Sequence, residues 1–381
     1  MRKMRNPFQY GGVVGGPAFC NRAQEIADLL RAAENGEKLF LYSERRMGKT
    51  SLVLHALRTL PPHTYATAYV DLWPTDGAVS FVTVSAKAIA EAMSSSAEQL
   101  LKTAKEFFGQ LTPSVTLDEQ GRPKVTFGMS RTSSAGPELE QVLAAPAEIA
   151  ARGKRRVVVV FDEIQRILEF ESDKVERQLR SIVQRHEAVS YLFLGSRKHV
   201  IQRMFLDRSR PLYRSAGHYP LGPIAAGHWT PFIRQKFQNS GKDIQAEVVA
   251  AICELTGGHP FYTQHLCHAL WELCDSGKSA TLAMVREAVQ VLLERESYAY
   301  TALWESLTLT QRRLLTGLAS EEKTTKVFSS AFLQRYGLGS ASSAQRAVGA
   351  LIDRDAIDRD NGSLVIADRF FRIWIQRMHI Q

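Results

Sequence analysis

The chain has 381 residues, 45% of them hydrophobic and 23% charged, with a formal net charge of +9. That length suits two or three domains with cores of their own, and no low-complexity tract argues for long disorder. Four cysteines exclude a disulfide framework, and with no visible signal peptide and no apolar run of roughly 20 residues, a cytoplasmic chain without a membrane partner is expected.

In chain order, Asn21-x-x-Gln24 ahead of Ile26, Leu29 and Leu30 resembles a capping box that opens a helix. Lys38–Tyr42, Tyr65–Val70, Val157–Phe161, Tyr191–Leu194 and His218–Leu221 read as five short strands. Helix-period stretches such as Ser51–Leu60, Val79–Phe108 and Lys174–His186 lie between them. Near-continuous apolar strands alternating with helices predict a parallel sheet covered on both faces. Ser114–Leu117 and Lys124–Phe127 flank a polar turn and predict an inserted hairpin. After Gly222-Pro223 the strand pattern stops, and residues 226–298 read as three or four helices broken near Gly257-Gly258 and Ser276-Gly277. From Trp304 on, helices at Thr310–Leu318, at Ser330–Tyr336 and after Ser340 precede a segment that turns at Asp360-Asn361-Gly362. That is the winged-helix order. The expected domains are therefore 1–222, 223–300 and 301–381.

Ser43-Glu44-Arg45-Arg46-Met47-Gly48-Lys49-Thr50 follows a strand and opens a helix, with Ser51 next. It matches the phosphate-loop pattern except that Ser43 stands where the first Gly is usual. Backbone N–H groups at a helix N-terminus attract phosphate, Gly48 permits close approach, Lys49 would bridge β- and γ-phosphates, and the Thr50 hydroxyl would ligate Mg²⁺. The strand Val157–Phe161 delivers Asp162 and Glu163 to the same end of the sheet. Asp162 would complete the Mg²⁺ site and Glu163 would polarise a water for hydrolysis of ATP. Ser196 and Arg197, after the strand Tyr191–Leu194, would lie between the two motifs, Ser196 orienting water and Arg197 reading the γ-phosphate. From Arg197 to Arg214 basic residues dominate, and one of them could serve as an arginine finger.

These segments, together with Phe161-Asp162-Glu163-Ile164-Gln165, Phe193-Leu194-Gly195-Ser196, Thr256-Gly257-Gly258-His259-Pro260 and the C-terminal stretch from Ala350-Leu351-Ile352-Asp353-Arg354 through Asp368 to Trp374, resemble the archaeal-type ATPases. That family lies within the STAND class of signalling NTPases, which is AAA+-like. The resemblance covers nearly the whole chain and implies an α/β P-loop NTPase fold: a five-stranded parallel core sheet, a helical lid and a C-terminal winged helix. It also implies that Gly258, His259 and Pro260 approach adenine and sugar from the lid. Phe19-Cys20-Asn21-Arg22 resembles the family's entry motif, which lines the adenine pocket, so Arg22 would lie there, although Cys20-Asn21 stands where the family usually has Gly-Arg. A helix C-cap followed by Pro at a new helix start accounts for residues 256–260 equally well.

His265, Cys267, His268 and Cys274 cluster in sequence without a CxxC spacing, so packing is preferred to zinc binding. The helix after Ser340 carries Arg346, but Asp353, Asp355, Asp358 and Asp360 follow it and would repel a phosphate backbone. The expected function is an ATP-dependent switch acting on a protein partner, with a homo-oligomer in the ATP state as one outcome. A DNA-binding or replication-associated ATPase is the alternative.

Overall fold

The computed structural model describes residues 5–94, 97–108, 111–117, 123–128, 136–153, 155–196, 204–321, 326–360 and 362–380. The chain divides into two compact units, Arg22–Gly222 and Met1–Asn21 with Pro223–Gln381.

In the first unit the strands are β1 Lys38–Tyr42, β2 Tyr65–Asp71, β3 Thr112–Leu117, β4 Pro123–Gly128, β5 Arg156–Asp162, β6 Val189–Gly195 and β7 Gly217–Pro220. Five of them form one sheet in the order β2-β5-β6-β1-β7, parallel throughout. β3 and β4 pair antiparallel as the separate predicted hairpin, and residues 118–122 between them lie outside the described residues. β6 is buried at every position and β5 at all but its first, as strands covered on both faces must be. One face carries a row of rings, Phe161 to Phe193 at 6.0 Å, Phe193 to Phe205 at 5.8 Å and Phe205 to Phe40 at 4.1 Å, which ties β5, β6 and β1 together. Helices Ala23–Asn35, Lys49–Thr59, Ala78–Met93, Ala97–Phe107, Gly136–Gly153 and Lys174–Val183 belong to this unit.

Two local expectations change. The helix after Asn21 forms, but its N-cap is Arg22 at φ 73°, with no side-chain cap; Gln24 donates to Asp28 Oδ1 at 3.1 Å instead. The stretch Val79–Phe108 is two helices, and Ser94 ends the first in an extended conformation. Serine favours such endings because its hydroxyl competes for backbone groups.

The second unit holds helices Ala226–Asn239, Ala246–Thr256, Pro260–Leu273 and Leu282–Glu305, with a short parallel pair of β8 Asp243–Ile244 and β9 Ser279–Ala280. Helices Leu309–Ser320, Ser330–Arg335 and Ala341–Asp353 follow, then the antiparallel hairpin of β10 Ile357–Asp360 and β11 Ser363–Ile366. Thr308 and Gln311 close a capping box on the first of these helices. A last helix, Arg369–His379, was not anticipated. Asp368 caps it, accepting from the backbone N–H of Phe370 at 2.9 Å and Phe371 at 3.0 Å, and Phe370, Phe371 and Trp374 enter the core. Phe8 also enters this core, 5.6 Å from the Phe237 ring, and Lys236 donates to the Pro7 carbonyl at 2.9 Å.

Candidate functional site

β1 is paired on both sides, so its end at Tyr42 is fixed, and Leu221 N–H donates to the Tyr42 carbonyl at 2.9 Å. The chain then turns through Ser43–Gly48 with two left-handed residues, Arg46 at φ 59° and Gly48 at φ 87°. Met47 is buried while Arg45 and Arg46 are exposed, so the methionine anchors the loop and its flanks face outward. Gly48 is the N-cap of the helix Lys49–Thr59. Lys49 is buried, and its Nζ donates to Ser43 Oγ at 2.9 Å and to the Glu44 carbonyl at 3.2 Å. Ser43 therefore has a defined task at the position where glycine is usual: it is an acceptor for the lysine. Burial lowers the Lys49 pKa to about 8, against the opposing pull of the Glu163 and Asp162 carboxylates, while Arg45 pushes it further down.

The parallel register brings the second motif alongside. β6 lies between β1 and β5, so the end of β6 emerges between the phosphate loop and Asp162. Thr50 Oγ1 donates to Asp162 Oδ2 at 2.7 Å, the Tyr69 hydroxyl donates to the same oxygen, and the Glu163 N–H donates to Oδ1 at 2.9 Å. Burial and the Asp162 charge push the Tyr69 hydroxyl far above its ordinary pKa, so it stays a donor. Glu163 has φ 55°, a left-handed conformation uncommon outside glycine, and its carboxylate turns to the end of β6. There Oε2 accepts from Ser196 Oγ at 2.9 Å and from Gln165 Nε2.

The structure thus joins Ser43, Lys49, Thr50, Asp162, Glu163 and Ser196 in one cluster, with Glu44 contributing its carbonyl. Ser51 is buried on the helix behind it. Arg22 is buried in the same unit, its guanidinium shared among Glu25 Oε1 at 2.7 Å, the Gly222 carbonyl at 2.8 Å and the Met47 carbonyl at 3.4 Å. Arg197 lies outside the described residues, as do Lys198 and Arg203. Arg210 is committed to the buried carboxylate of Glu176, which makes it a packing cation. In the other unit, Gly257 is a helix C-cap at φ 60°, Gly258 follows at φ 67°, and Pro260 opens the next helix. The Gly258 carbonyl accepts from Ile224 N and Trp229 Nε1, both at 3.1 Å. His265 stacks on Tyr10 at 3.9 Å, and among the described residues no group of three or more His, Cys, Asp or Glu is arranged to hold a metal ion.

Residues 19–266 match the family described as an ATPase domain predominantly from Archaea, well over half of the chain. The chain belongs to this ATPase family. Residues 298–377 of the ATPase match a second family, described as "Probable winged helix domain". No curated protein matches the chain. Among solved structures, the Walker-type ATPase PABY2304 of Pyrococcus abyssi is similar at 16% identity and TM-score 0.65, over 94% of this chain and 96% of that one. The ORC2 protein of Aeropyrum pernix, in its ADPNP–ADP complexes, is similar at 14% identity and TM-score 0.52, over 94% of each chain. These likenesses show the fold: an α/β P-loop ATPase with a five-stranded parallel sheet and a C-terminal winged helix. No helix among the described residues is long and apolar enough to cross a membrane.

Two site residues of this ATPase were not assigned from sequence. Tyr69 sits mid-strand in β2 with ordinary alternation around it, and only the register Val70↔Phe161 and Asp71↔Asp162 brings it to the acid. Gln165 stands two residues after Glu163, and only the tight helical turn Ile164–Glu169 folds its amide back.

Proposed function

We propose that the chain is a Mg²⁺-dependent ATP hydrolase acting as a slow molecular switch of the STAND, AAA+-like type. The observation that carries this reading is the 2.7 Å contact of Thr50 Oγ1 with Asp162 Oδ2, with Lys49 buried behind it and Glu163 beside it. Two hard oxygens at a helix N-terminus fit Mg²⁺, which takes one or two protein ligands and leaves the rest of its octahedron to phosphate and water. Thr50 and Asp162 would hold the ion, whose charge neutralises the phosphates when bound. Lys49 exchanges Ser43 Oγ and the Glu44 carbonyl for phosphate oxygens, and that negative charge draws its pKa back up from about 8. The backbone of Ser43–Gly48 and the start of the following helix cradle the phosphates. Glu163 takes a proton from water as the oxygen attacks the γ-phosphorus and the bond to the ADP oxygen breaks. Ser196 orients that water or the phosphate from the end of β6.

By resemblance to the archaeal-type ATPases, Arg22, Gly258, His259 and Pro260 take a nucleotide-binding role, and Arg197 a role at the γ-phosphate. Hydrolysis would be read out through the helical and winged-helix regions as altered affinity for a protein partner or a further copy of the chain. Lys49→Ala is expected to abolish ATP binding, and Glu163→Gln to keep ATP bound while phosphate release stops. Wild-type hydrolysis rates in both variants would overturn the assignment.

DNA binding is the second reading. It is favoured by the exposed side chains of Ser342, Gln345 and Arg346 on the helix Ala341–Asp353 together with the positive net charge. Duplex binding that weakens steeply with salt, and is lost in Arg346→Ala, would establish it.

A further inference from the structure

We infer that Gln165 is the positioning residue for the hydrolytic carboxylate: its buried amide holds Glu163 at the end of β6. This inference rests on the ATPase reading above. Gln165 is itself 3% exposed, in a turn whose neighbours Ile164 and Ile167 are also buried. An amide in such surroundings is costly unless its polar atoms are used. Its Nε2 donates to Glu163 Oε2 and lies 3.4 Å from Ser196 Oγ, while its Oε1 has no hydrogen-bond partner within the protein. A side chain kept for packing alone would be better as leucine or methionine. The amide is explained by the one carboxylate it addresses.

The need for such a restraint follows from the backbone. Glu163 is left-handed at φ 55°, with its N–H turned to Asp162, so its side chain leaves the end of β5 in a direction that the strand itself does not fix. Two donors meet it there. Ser196 is half-buried at the strand end, where a phosphate or water would compete for its hydroxyl, whereas Gln165 is shut away from solvent. Gln165 is therefore the donor that persists through turnover. Misplacing a catalytic group by about 1 Å can cost roughly a hundredfold in rate.

The test compares full-length wild type with Gln165→Met, which keeps the volume and removes the donor, in steady-state Mg-ATP hydrolysis. The expected result is a kcat lower by about tenfold or more, with KM, ADP affinity and melting midpoint unchanged. In a Glu163→Gln background, where phosphate release has already stopped, the same substitution should leave ATP affinity unchanged, and weaker ATP binding there would point to a packing role. A Gln165→Met enzyme with wild-type kcat overturns the inference alone. A fall in kcat accompanied by a lower melting midpoint and weaker ADP binding also overturns it, in favour of a packing role. Absence of phosphate release from wild type overturns the ATPase reading and this inference with it.

Discussion

At the scale of single residues, the two carboxylates of the site are held by neutral donors and the lysine by neutral acceptors. Asp162 takes three hydrogen bonds, from Thr50, Tyr69 and the Glu163 backbone, and Glu163 takes two. Fixed donors of this kind orient a carboxylate without neutralising it. Lys49, Thr50, Asp162 and Glu163 were legible because their chemistry demands those residue types at those spacings. Tyr69 and Gln165 were not, since any residue type can occupy a strand middle or a helical turn. Away from the site, His186 supplies a pH dependence. Burial, then the positive charges of Lys38 and Arg185, lower its pKa from 6.5 to about 4, and its Nδ1 pairs with the Tyr191 hydroxyl at 2.7 Å. The unfolded chain takes up this proton near pH 6.5 and the folded chain does not until about pH 4. Stability is therefore full above that window and is lost as pH falls through it. The urea midpoint should fall between about pH 6.5 and pH 5, and His186→Asn should flatten that slope. An equal slope in both would exclude His186 as its source.

At the scale of elements, glycines decide where helices stop. Gly257 and Gly258 have nearly the same φ, yet their surroundings differ. A Cβ on Gly258 would lie 2.2 Å from the Ile224 carbonyl oxygen, whereas one on Gly257 would lie 3.3 Å from Cζ of the Arg369 side chain. Backbone cannot retreat as a guanidinium can. Gly258→Ala should therefore cost about 3 kcal/mol or more, from left-handed strain plus the clash, and Gly257→Ala only about 1 kcal/mol. Melting midpoints of the two variants check this, and equal effects would show that the Ile224 contact relaxes freely. Within their own unit, capping accounts for Gly257 and Pro260, and the Ile224 contact accounts for Gly258. The five strands were visible as apolar runs bounded by turn residues. The break at Ser94 was not, because helical periodicity continues on both sides of it.

At the scale of the whole molecule, one of the two units is built from both ends of the chain. Residues Met1–Asn21 cluster with Pro223–Gln381, and Phe8 is 2% exposed in a core whose other members begin at Cys20 and Ile224. His268 Nδ1 pairs with the Phe8 carbonyl at 3.0 Å, and Gln264 Oε1 accepts from Gln9 N–H at 3.3 Å. An early segment thus completes a core built from residues more than 200 positions later. Phe8→Ala should destabilise that unit by about 3 kcal/mol, the usual cost of removing a buried ring. Differential scanning calorimetry with the phosphate-loop unit saturated by nucleotide would separate the two transitions, and an unmoved lower transition would mean that Phe8 is only an accessory to this core.

The sequence by itself determined the phosphate loop, its partner acids, the parallel sheet and the winged helix, because each is a local pattern with a physical reason to recur. A loop at a helix N-terminus binds phosphate, and an apolar run ending in Asp162-Glu163 must surface at the end of a strand. Tertiary structure alone decided which groups meet. The order β2-β5-β6-β1-β7 sets Ser196 between the two motifs, the β2–β5 register brings Tyr69 to Asp162, and a single helical turn folds Gln165 onto Glu163. Those contacts depend on strand order and register, which are set by packing across the whole sheet and leave no periodic trace in the residues that make them.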